Sequence, residues 1–304
     1  KLAVSAALLL GASSAFATNG TNLIGLGAES RALGGTGIAN SMGACNALTN
    51  PALLAKAKHN FEFSFSGTYF DADVEVSTES GSVAVPSEGT TMTSSESGNV
   101  IPAISLAKRI NDNWVFGLGM YGTAGMGTDW RGSDFDGTQG KLDLYNMRSS
   151  LMLMQFAPSI AYGNDTFGIG LTAIMQYGSL SIDYDTRNAS NQNVHIGNGS
   201  SNDLGYGYQI GAYYNPIESL TLGATYKSAI DMIYKDQISN AAAAFGYGSS
   251  TAAIDAKADN LEQPAEYGVG IAYTAGNMTY TADVKKIKWG SAKGYMDFGW
   301  EDQT

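Results

Sequence analysis

Phe61-Glu-Phe-Ser-Phe-Ser66 alternates a large aromatic residue with a polar one at every position. Successive side chains of a β-strand point to opposite faces, so the three phenylalanines share one face of a strand. The same alternation returns at 114–121, 152–159, 205–210 and 266–271. In each case one face is large and apolar and the other is small or polar. This pattern indicates β-strands that lie between two different environments.

Ten such segments can be read along the chain, near 60–70, 100–110, 113–122, 147–162, 166–185, 204–214, 218–234, 265–275, 277–289 and 293–304. Tight turns such as 111–113 and 163–165 alternate with long polar links such as 71–99 and 235–263. A water-soluble β-sandwich also alternates its faces. The strict alternation of short and long connections instead favours an outer-membrane barrel with short periplasmic turns and long external loops. The fold class is therefore predicted as all-β, a transmembrane antiparallel β-barrel.

Aromatic residues near the strand ends fit the girdles of such a barrel, among them Trp114, Tyr162, Tyr213, Tyr214 and Tyr234.

Composition excludes several other classes of protein. The chain has 304 residues, 11% of them aromatic, which argues against disorder. Its net charge of −11 comes without a basic stripe, so no nucleic-acid partner is expected. Beyond residue 17 there is no apolar run of about 18 residues, the length that a spanning helix needs. One cysteine and two distant histidines give no zinc or catalytic-triad spacing, so we expect no metal, no cofactor and no enzymatic activity.

Both ends of the chain carry information about processing. Lys1, an apolar run and the small-residue exit Ala15-Phe-Ala17 have the form of a signal peptide, which predicts export and a mature chain that starts at Thr18. Residues 293–304 stop inside what reads as a strand. We therefore expect a barrel over 60–304 that is truncated at its C-terminus.

Residues 18–59 lack the alternation and are rich in glycine, alanine and asparagine, which suggests a leader or a plug in the barrel lumen. The stretches 27–37 and 46–54 resemble the hatch of the FadL family of bacterial outer-membrane transporters for long-chain fatty acids and other hydrophobic compounds. The element Asn50-Pro51-Ala52 is typical of that family. The resemblance covers nearly all of the mature chain.

The resemblance implies a fourteen-stranded barrel with a hatch over residues 18–59, a fatty acid or hydrocarbon as ligand, and contact with outer-membrane lipid and lipopolysaccharide. A closed ten-stranded barrel is the alternative. It also implies an inward kink and a lateral exit in the third strand, at Tyr121, Gly122, Gly125 and Met126. Asn50 is expected to supply polar groups to the ladder broken at that kink.

Two other patterns have simpler interpretations. The match of 117–122 to G-x-G-x-x-G lies inside an alternating strand, so a nucleotide site is not expected there. By parity Lys227, Glu266 and Asp283 fall on the non-lipid face of three successive strands, where charged residues normally pair structurally.

The sequence thus predicts passive transport of hydrophobic small molecules, with binding in the barrel interior and exit through a lateral opening. A general porin for polar solutes is the alternative.

Overall fold

The computed structural model describes residues 22–71, 73–77, 91–96, 98–132, 144–188, 190–244 and 259–304, so the predicted signal peptide lies outside the described residues. The strands are β1 (Phe61–Phe70), β2 (Glu75–Ser77), β3 (Thr91–Thr93), β4 (Asn99–Arg109), β5 (Trp114–Asp129), β6 (Arg148–Gly163), β7 (Phe167–Arg187), β8 (Asn193–Ile196), β9 (Ser201–Ile217), β10 (Leu220–Lys227), β11 (Glu266–Ala275) and β12 (Met278–Ile287). The helices are α1 (Gly27–Ala32) and α2 (Ile238–Ala244), with 3₁₀ turns at Gly43–Ala47, Pro51–Lys56, Trp289–Ser291 and Met296–Phe298.

The long strands form one antiparallel sheet in the order β1-β4-β5-β6-β7-β9-β10-β11-β12, with β8 paired to β7 and a separate β2–β3 hairpin. Nine of the ten predicted segments correspond to strands of this sheet and are confirmed. The tenth prediction, a strand at 293–304, is wrong, because that stretch contains a 3₁₀ turn at Met296–Phe298. In the described part of the chain β1 and β12 do not pair with each other, so these strands do not form a closed ten-stranded barrel.

The two faces of β7 show the predicted alternation most clearly. The outward side chains from Phe167 to Tyr177 are exposed and mostly apolar, whereas the residues between them are buried. The ten steps from Phe167 to Tyr177, at about 3.3 Å each and tilted by about 40°, give an apolar row roughly 25 Å tall, the height of the lipid-facing band of a membrane barrel. Beyond Tyr177 the outward positions become polar, beginning with Ser179. The outward face of β7 therefore defines the membrane-spanning part of the sheet.

Aromatic pairs lie at the two ends of this band. Near the short turns Trp114 and Tyr162 pack edge to face at 5.3 Å. Near the long connections Tyr226 and Tyr267 lie 5.0 Å apart. Tyr234, which the sequence placed in a girdle, is instead fully buried on the inner side, at 0% exposure.

Residues 22–57, named here the hatch segment, lie on the inner face of the sheet. The segment contacts strands from one edge to the other, from Ser64 of β1, which accepts from Cys45 Sγ, to Asp283 of β12, which accepts from Gly37 N. The turn Pro51–Lys56 packs on β6, β7 and β9. The sheet therefore curves around the N-terminal part of the chain.

Among the described residues, no helix has both the length and the apolarity needed to cross a bilayer.

A charge placed in the middle of the outward row of β7 should destabilise the protein in a bilayer. We expect Leu171→Arg to lower the free energy of unfolding by about 2–4 kcal/mol, because arginine near the midplane loses its hydration. Chemical denaturation in lipid vesicles measures this difference. Asn202→Arg, on an outward position above the band in β9, is the matched control and should cost less than about 1 kcal/mol. Equal losses for the two variants would contradict this assignment of the lipid-facing band.

Candidate functional site

The pairing between β4 and β5 stops part of the way along both strands. β4 pairs with β5 from Arg109 to Ala103, opposite Val115 to Tyr121. Beyond that point β4 continues to pair with β1 as far as Asn99, and β5 continues to pair with β6 as far as Asp129. Residues 99–102 of β4 and 122–129 of β5 thus face each other without ladder hydrogen bonds. We call this stretch the β4–β5 seam.

A β-bulge marks the start of the seam. The register of β5 on β6 shifts between Gly122 and Ala124, which leaves Thr123 as the extra residue. A bulge bends its strand and turns it away from its partner, which accounts for the end of the pairing. The backbone N–H of Leu23 in the hatch segment donates to the carbonyl of Thr123 at 3.2 Å. The hatch segment therefore replaces one of the hydrogen bonds that β4 no longer supplies.

A cavity of about 420 Å³ occupies the seam. Its apolar wall consists of Val100, Ile101 and Pro102 from β4 and of the β6 residues 151–154, all of which are leucine or methionine. Its polar rim includes Glu96 and Arg148, on the side of the long connections. The cavity therefore joins an apolar surface to a polar rim at a break in the sheet.

The predicted exit residues lie at this seam. Tyr121 is the last residue of β5 that pairs with β4 and is fully buried, with its hydroxyl 3.5 Å from the carbonyl of Ala44. Gly122 and Gly125 line the cavity. The backbone of Met126 pairs with Leu151 of β6. A Cβ at Gly122 would lie 2.7 Å from Ile101 Cγ2, so a larger residue there would press against β4.

Asn50, Pro51 and Ala52 are buried against β7 and β9. Asn50 has an extended backbone, and its side chain caps the following 3₁₀ turn by accepting from Ala52 N at 3.1 Å. The same side chain donates to the carbonyls of Ile38 at 2.6 Å and Ala212 at 3.1 Å. A Cβ at Gly211 would lie 2.0 Å from Asn50 Oδ1, so only glycine allows this approach. The asparagine thus joins the turn, the hatch segment and the barrel wall.

This placement corrects one expectation from the sequence. Asn50 was predicted to supply polar groups to the kink at Gly122, and that prediction is wrong. Its wall partner, Ala212, lies on β9, three strands away from β5 in the sheet. The physical reason is steric, because facing glycines of β7 and β9 leave room for the Pro51 turn. The backbone of Leu23 contacts the kink instead.

The three predicted lumen charges divide into two groups. Lys227 Nζ lies 3.2 Å from Glu266 Oε1, which also accepts from the amide of Asn22 in the hatch segment. Asp283 Oδ2 accepts the backbone N–H groups of Gly37 at 2.7 Å and Ile38 at 2.9 Å. All three side chains therefore face the hatch segment. They act as structural contacts in this geometry, and the cavity beside Lys227 and Glu266 has a volume of only about 40 Å³.

Residues 228–234 and 259–263, named here the roof, cover the inner face on the side of the long connections. Isolated bridges join Ile230 to Gln263 and Ile233 to Asn260. Lys293 Nζ lies 2.6 Å from Asp231 Oδ1, and this contact lowers the pKa of the Asp231 carboxyl. Burial raises the pKa of the neighbouring Glu262.

Within the described residues no cluster of three or more His, Cys, Asp and Glu side chains is placed to hold a metal ion.

These features define a class of protein: an outer-membrane β-barrel wall with an N-terminal segment inside it and a break in one seam. Residues 4–294 match the family described as outer membrane protein transport protein (OMPP1/FadL/TodX), and the chain belongs to this family. It is a family of outer-membrane transport proteins, not of enzymes.

Solved structures agree on the fold. The P. putida toluene transporter TodX is 20% identical, with a TM-score of 0.66 over 89% of this chain and 72% of that chain. The Ralstonia pickettii toluene transporter TbuX is 19% identical, with a TM-score of 0.63 over 89% and 73%. A Pseudomonas aeruginosa FadL homologue is 18% identical, with a TM-score of 0.55 over 84% and 66%. At these identities the likeness shows the fold alone.

One curated relative comes from Chlorobium limicola and is described as an uncharacterized protein in the phosphoenolpyruvate carboxykinase gene 5′ region. It is 52% identical over 56 residues, which are 18% of this chain and 28% of that protein. The match thus spans less than a third of the relative's length.

Sequence reasoning missed three parts of this site. The contact of Leu23 with Thr123 joins backbone groups, which leave no sequence signal. The roof residues 228–234 were predicted as the end of a strand, because their apolar residues also alternate. Gln155 and Gln176 are buried on the inner face. Strand parity alone places both glutamines there, but it does not show that they meet.

Removal of the Asn50 side-chain hydrogen bonds should loosen the hatch segment. We expect Asn50→Leu to lower the local opening free energy of residues 38–57 by about 1–3 kcal/mol, because two carbonyls and one N–H lose a buried partner. Hydrogen exchange read by mass spectrometry measures this as faster exchange in peptides of that range. Asn202→Leu, at an exposed position of β9, should leave the exchange unchanged. Equal protection in the Asn50→Leu variant would contradict an anchoring role for this side chain.

Proposed function

We propose that the protein transports hydrophobic small molecules passively across the outer membrane, binding them inside the barrel and releasing them through the β4–β5 seam. The class includes fatty acids and hydrocarbons. Two similar structures are described as toluene transporters, which supports a hydrophobic solute for this chain as well. Residues 18–59 act as the plug in this proposal, and 60–304 as the barrel.

The observation that carries the proposal is the seam itself. Apolar molecules cross the polar outer layer of this membrane and water-filled pores poorly. Each Å² of apolar surface that moves from water to protein contributes about 25 cal/mol of favourable free energy to binding. The wall of the seam cavity offers such a surface through Ile101, Leu151 and Leu153. It lies next to exposed apolar residues on the outward face of the sheet, such as Val100 and Met152. A solute in the seam therefore has an apolar route from the interior to the bilayer.

The hatch segment argues against the alternative of a general porin. A porin needs a continuous water-filled path through the barrel. Here the hatch segment packs on the inner face of the strands, with Ala52, Leu53 and Leu54 fully buried. A sideways exit avoids this obstruction. Contact with lipopolysaccharide at the polar rim stays a prediction.

Closure of the seam should reduce transport without affecting assembly. We expect Gly122→Val to lower uptake of a radiolabelled hydrocarbon into cells or proteoliposomes by about tenfold, because the new side chain meets Ile101 and Pro102. Heat-modifiable electrophoretic mobility checks that the barrel has formed. Ala173→Val is the matched control, since Ala173 is an exposed outward residue of β7, away from the seam. Normal uptake by a correctly inserted Gly122→Val protein would favour a central channel instead.

Removal of the plug should open the barrel to ions. We expect deletion of residues 18–45 to raise single-channel conductance in planar bilayers, because its described part, residues 22–45, lies on the inner face of the sheet and is held there by the hydrogen bond from Gly37 to Asp283. Pro51→Gly keeps the segment and should alter hydrophobic uptake while leaving the conductance low. If the deletion left the conductance unchanged, residues 18–45 would not be a plug.

A further inference from the structure

Gln155 and Gln176 form an amide pair on the inner face of the barrel. They lie directly opposite each other on β6 and β7, and Gln155 Nε2 donates to Gln176 Oε1 at 2.7 Å. Both side chains are almost completely buried, at 1% and 0% exposure. An amide pair of this kind carries four hydrogen-bonding atoms, of which this contact uses two.

The other two atoms have no partner. Within the part of the chain that the structure describes, Gln155 Oε1 and Gln176 Nε2 are buried and make no hydrogen bond. Buried amide groups are normally satisfied, because an unmet one loses its hydration without compensation. Exchange of the nitrogen and oxygen in both amides does not remove the problem, since one donor and one acceptor would still be free. The pair therefore offers one hydrogen-bond donor and one acceptor to a third group.

The surroundings of the pair are apolar and uncharged. The strand register places Tyr121, Gln155, Gln176 and Gly205 side by side across β5, β6, β7 and β9. None of these four side chains is charged. Leu153 and Ile174, both fully buried on the same face, belong to the surrounding apolar core.

The roof covers Gly205, the neighbour of Gln176 in the sheet, on the side of the long connections. A Cβ at Gly205, the neighbour of Gln176, would lie 2.6 Å from Met232 Sδ and 2.6 Å from Ile230 Cγ2. Methionine is flexible and adapts readily to a new neighbour, so a small solute can reach the position next to Gln176 by displacing the Met232 side chain from Gly205. The hatch segment lies on the other side, where Thr172 Oγ1 donates to Ala47 O at 2.5 Å. The pair thus sits between the roof and the hatch segment.

We propose that the Gln155–Gln176 pair is an interior binding site for an uncharged hydrophobic molecule that carries a hydroxyl group. A single hydroxyl can donate to Gln155 Oε1 and accept from Gln176 Nε2, which satisfies both atoms. A pure hydrocarbon leaves them unmet. A carboxylate would have to be buried here without a cation in the row, which is strongly unfavourable. This inference rests on the proposed transport of hydrophobic molecules and narrows their chemical class.

Three probes of similar size separate these cases: toluene, benzyl alcohol and benzoate. Binding to the full chain in lipid nanodiscs is measured by equilibrium dialysis, with empty nanodiscs subtracted to remove partitioning into lipid. We expect benzyl alcohol to bind about tenfold more tightly than toluene, the equivalent of two net hydrogen bonds, and benzoate to bind weakest. In the Gln155→Leu/Gln176→Leu variant the preference for benzyl alcohol should disappear while toluene binding stays the same or increases.

Two further variants keep the test decisive. Thr281→Val removes another buried hydroxyl that has no hydrogen-bond partner among the described residues, on β12 away from the pair, and should leave the preference unchanged. If the double variant does not assemble, as judged by heat-modifiable mobility, Gln176→Met alone should show the same loss of preference. The inference would be overturned if benzyl alcohol bound equally well to the wild type and to the glutamine variants, or if the wild type preferred benzoate. The proposed function would still stand in either case, provided that toluene binds. If none of the three probes binds, the proposed function itself fails.

Discussion

The structure depends on the requirement that backbone groups within a bilayer find hydrogen-bond partners in the protein. The sheet meets this requirement along eight successive antiparallel strand pairs, with register shifts in the β5–β6 and β9–β10 pairs. The β4–β5 pair meets it for only part of its length and then opens at Tyr121. The bulge at Thr123 takes a replacement hydrogen bond from Leu23, on a segment far away in sequence. The break in the wall and the segment inside the barrel are thus physically linked.

The glycines of the inner face provide room for that segment. Asn50 reaches the wall at Gly211, and the backbone carbonyl of Ile38 would lie 2.0 Å from a Cβ at Gly223. These close approaches bring the backbone of the hatch segment within hydrogen-bonding distance of the strands. Asp283 then fixes Gly37 and Ile38 by accepting both N–H groups. The lack of a side chain weakens a strand, but at these glycines it also lets the hatch segment lie close to the inner face of the sheet.

Strand alternation predicted most of the fold, because lipid on one side and packed protein on the other impose a period of two. The same period of two gave wrong strand predictions where the chain leaves the sheet and packs against protein. Ile230 and Tyr234 alternate as a strand would, yet β10 ends at Lys227 and both residues turn inward and are fully buried. Residues 293–304 also read as a strand, but Trp289, Tyr295 and Trp300 pack on one another around 3₁₀ turns. Periodicity reports which side of a strand a residue occupies, not whether lipid or protein lies there.

The site was predicted less completely than the fold. The resemblance to the FadL family implied a kink near residue 122, and the bulge lies there. The position of Asn50 was not predictable, because it depends on which neighbouring strands of the sheet carry facing glycines. The pairing of Gln155 with Gln176 depends on the register of β6 and β7, which a single sequence does not give. Contacts between distant segments therefore required the structure.

In the proposed function a hydrophobic solute leaves the barrel sideways through the β4–β5 seam. The most direct test is photo-crosslinking with an apolar diazirine hydrocarbon, added from outside to cells that express the protein, followed by mass-spectrometric mapping of the labelled residues. We expect label on both sides of the seam, on Ile101 and on 151–154, and loss of that label in the Gly122→Val protein. Label confined to the periplasmic side of the hatch segment, around Lys56 and Arg109, with none at the seam, would contradict it.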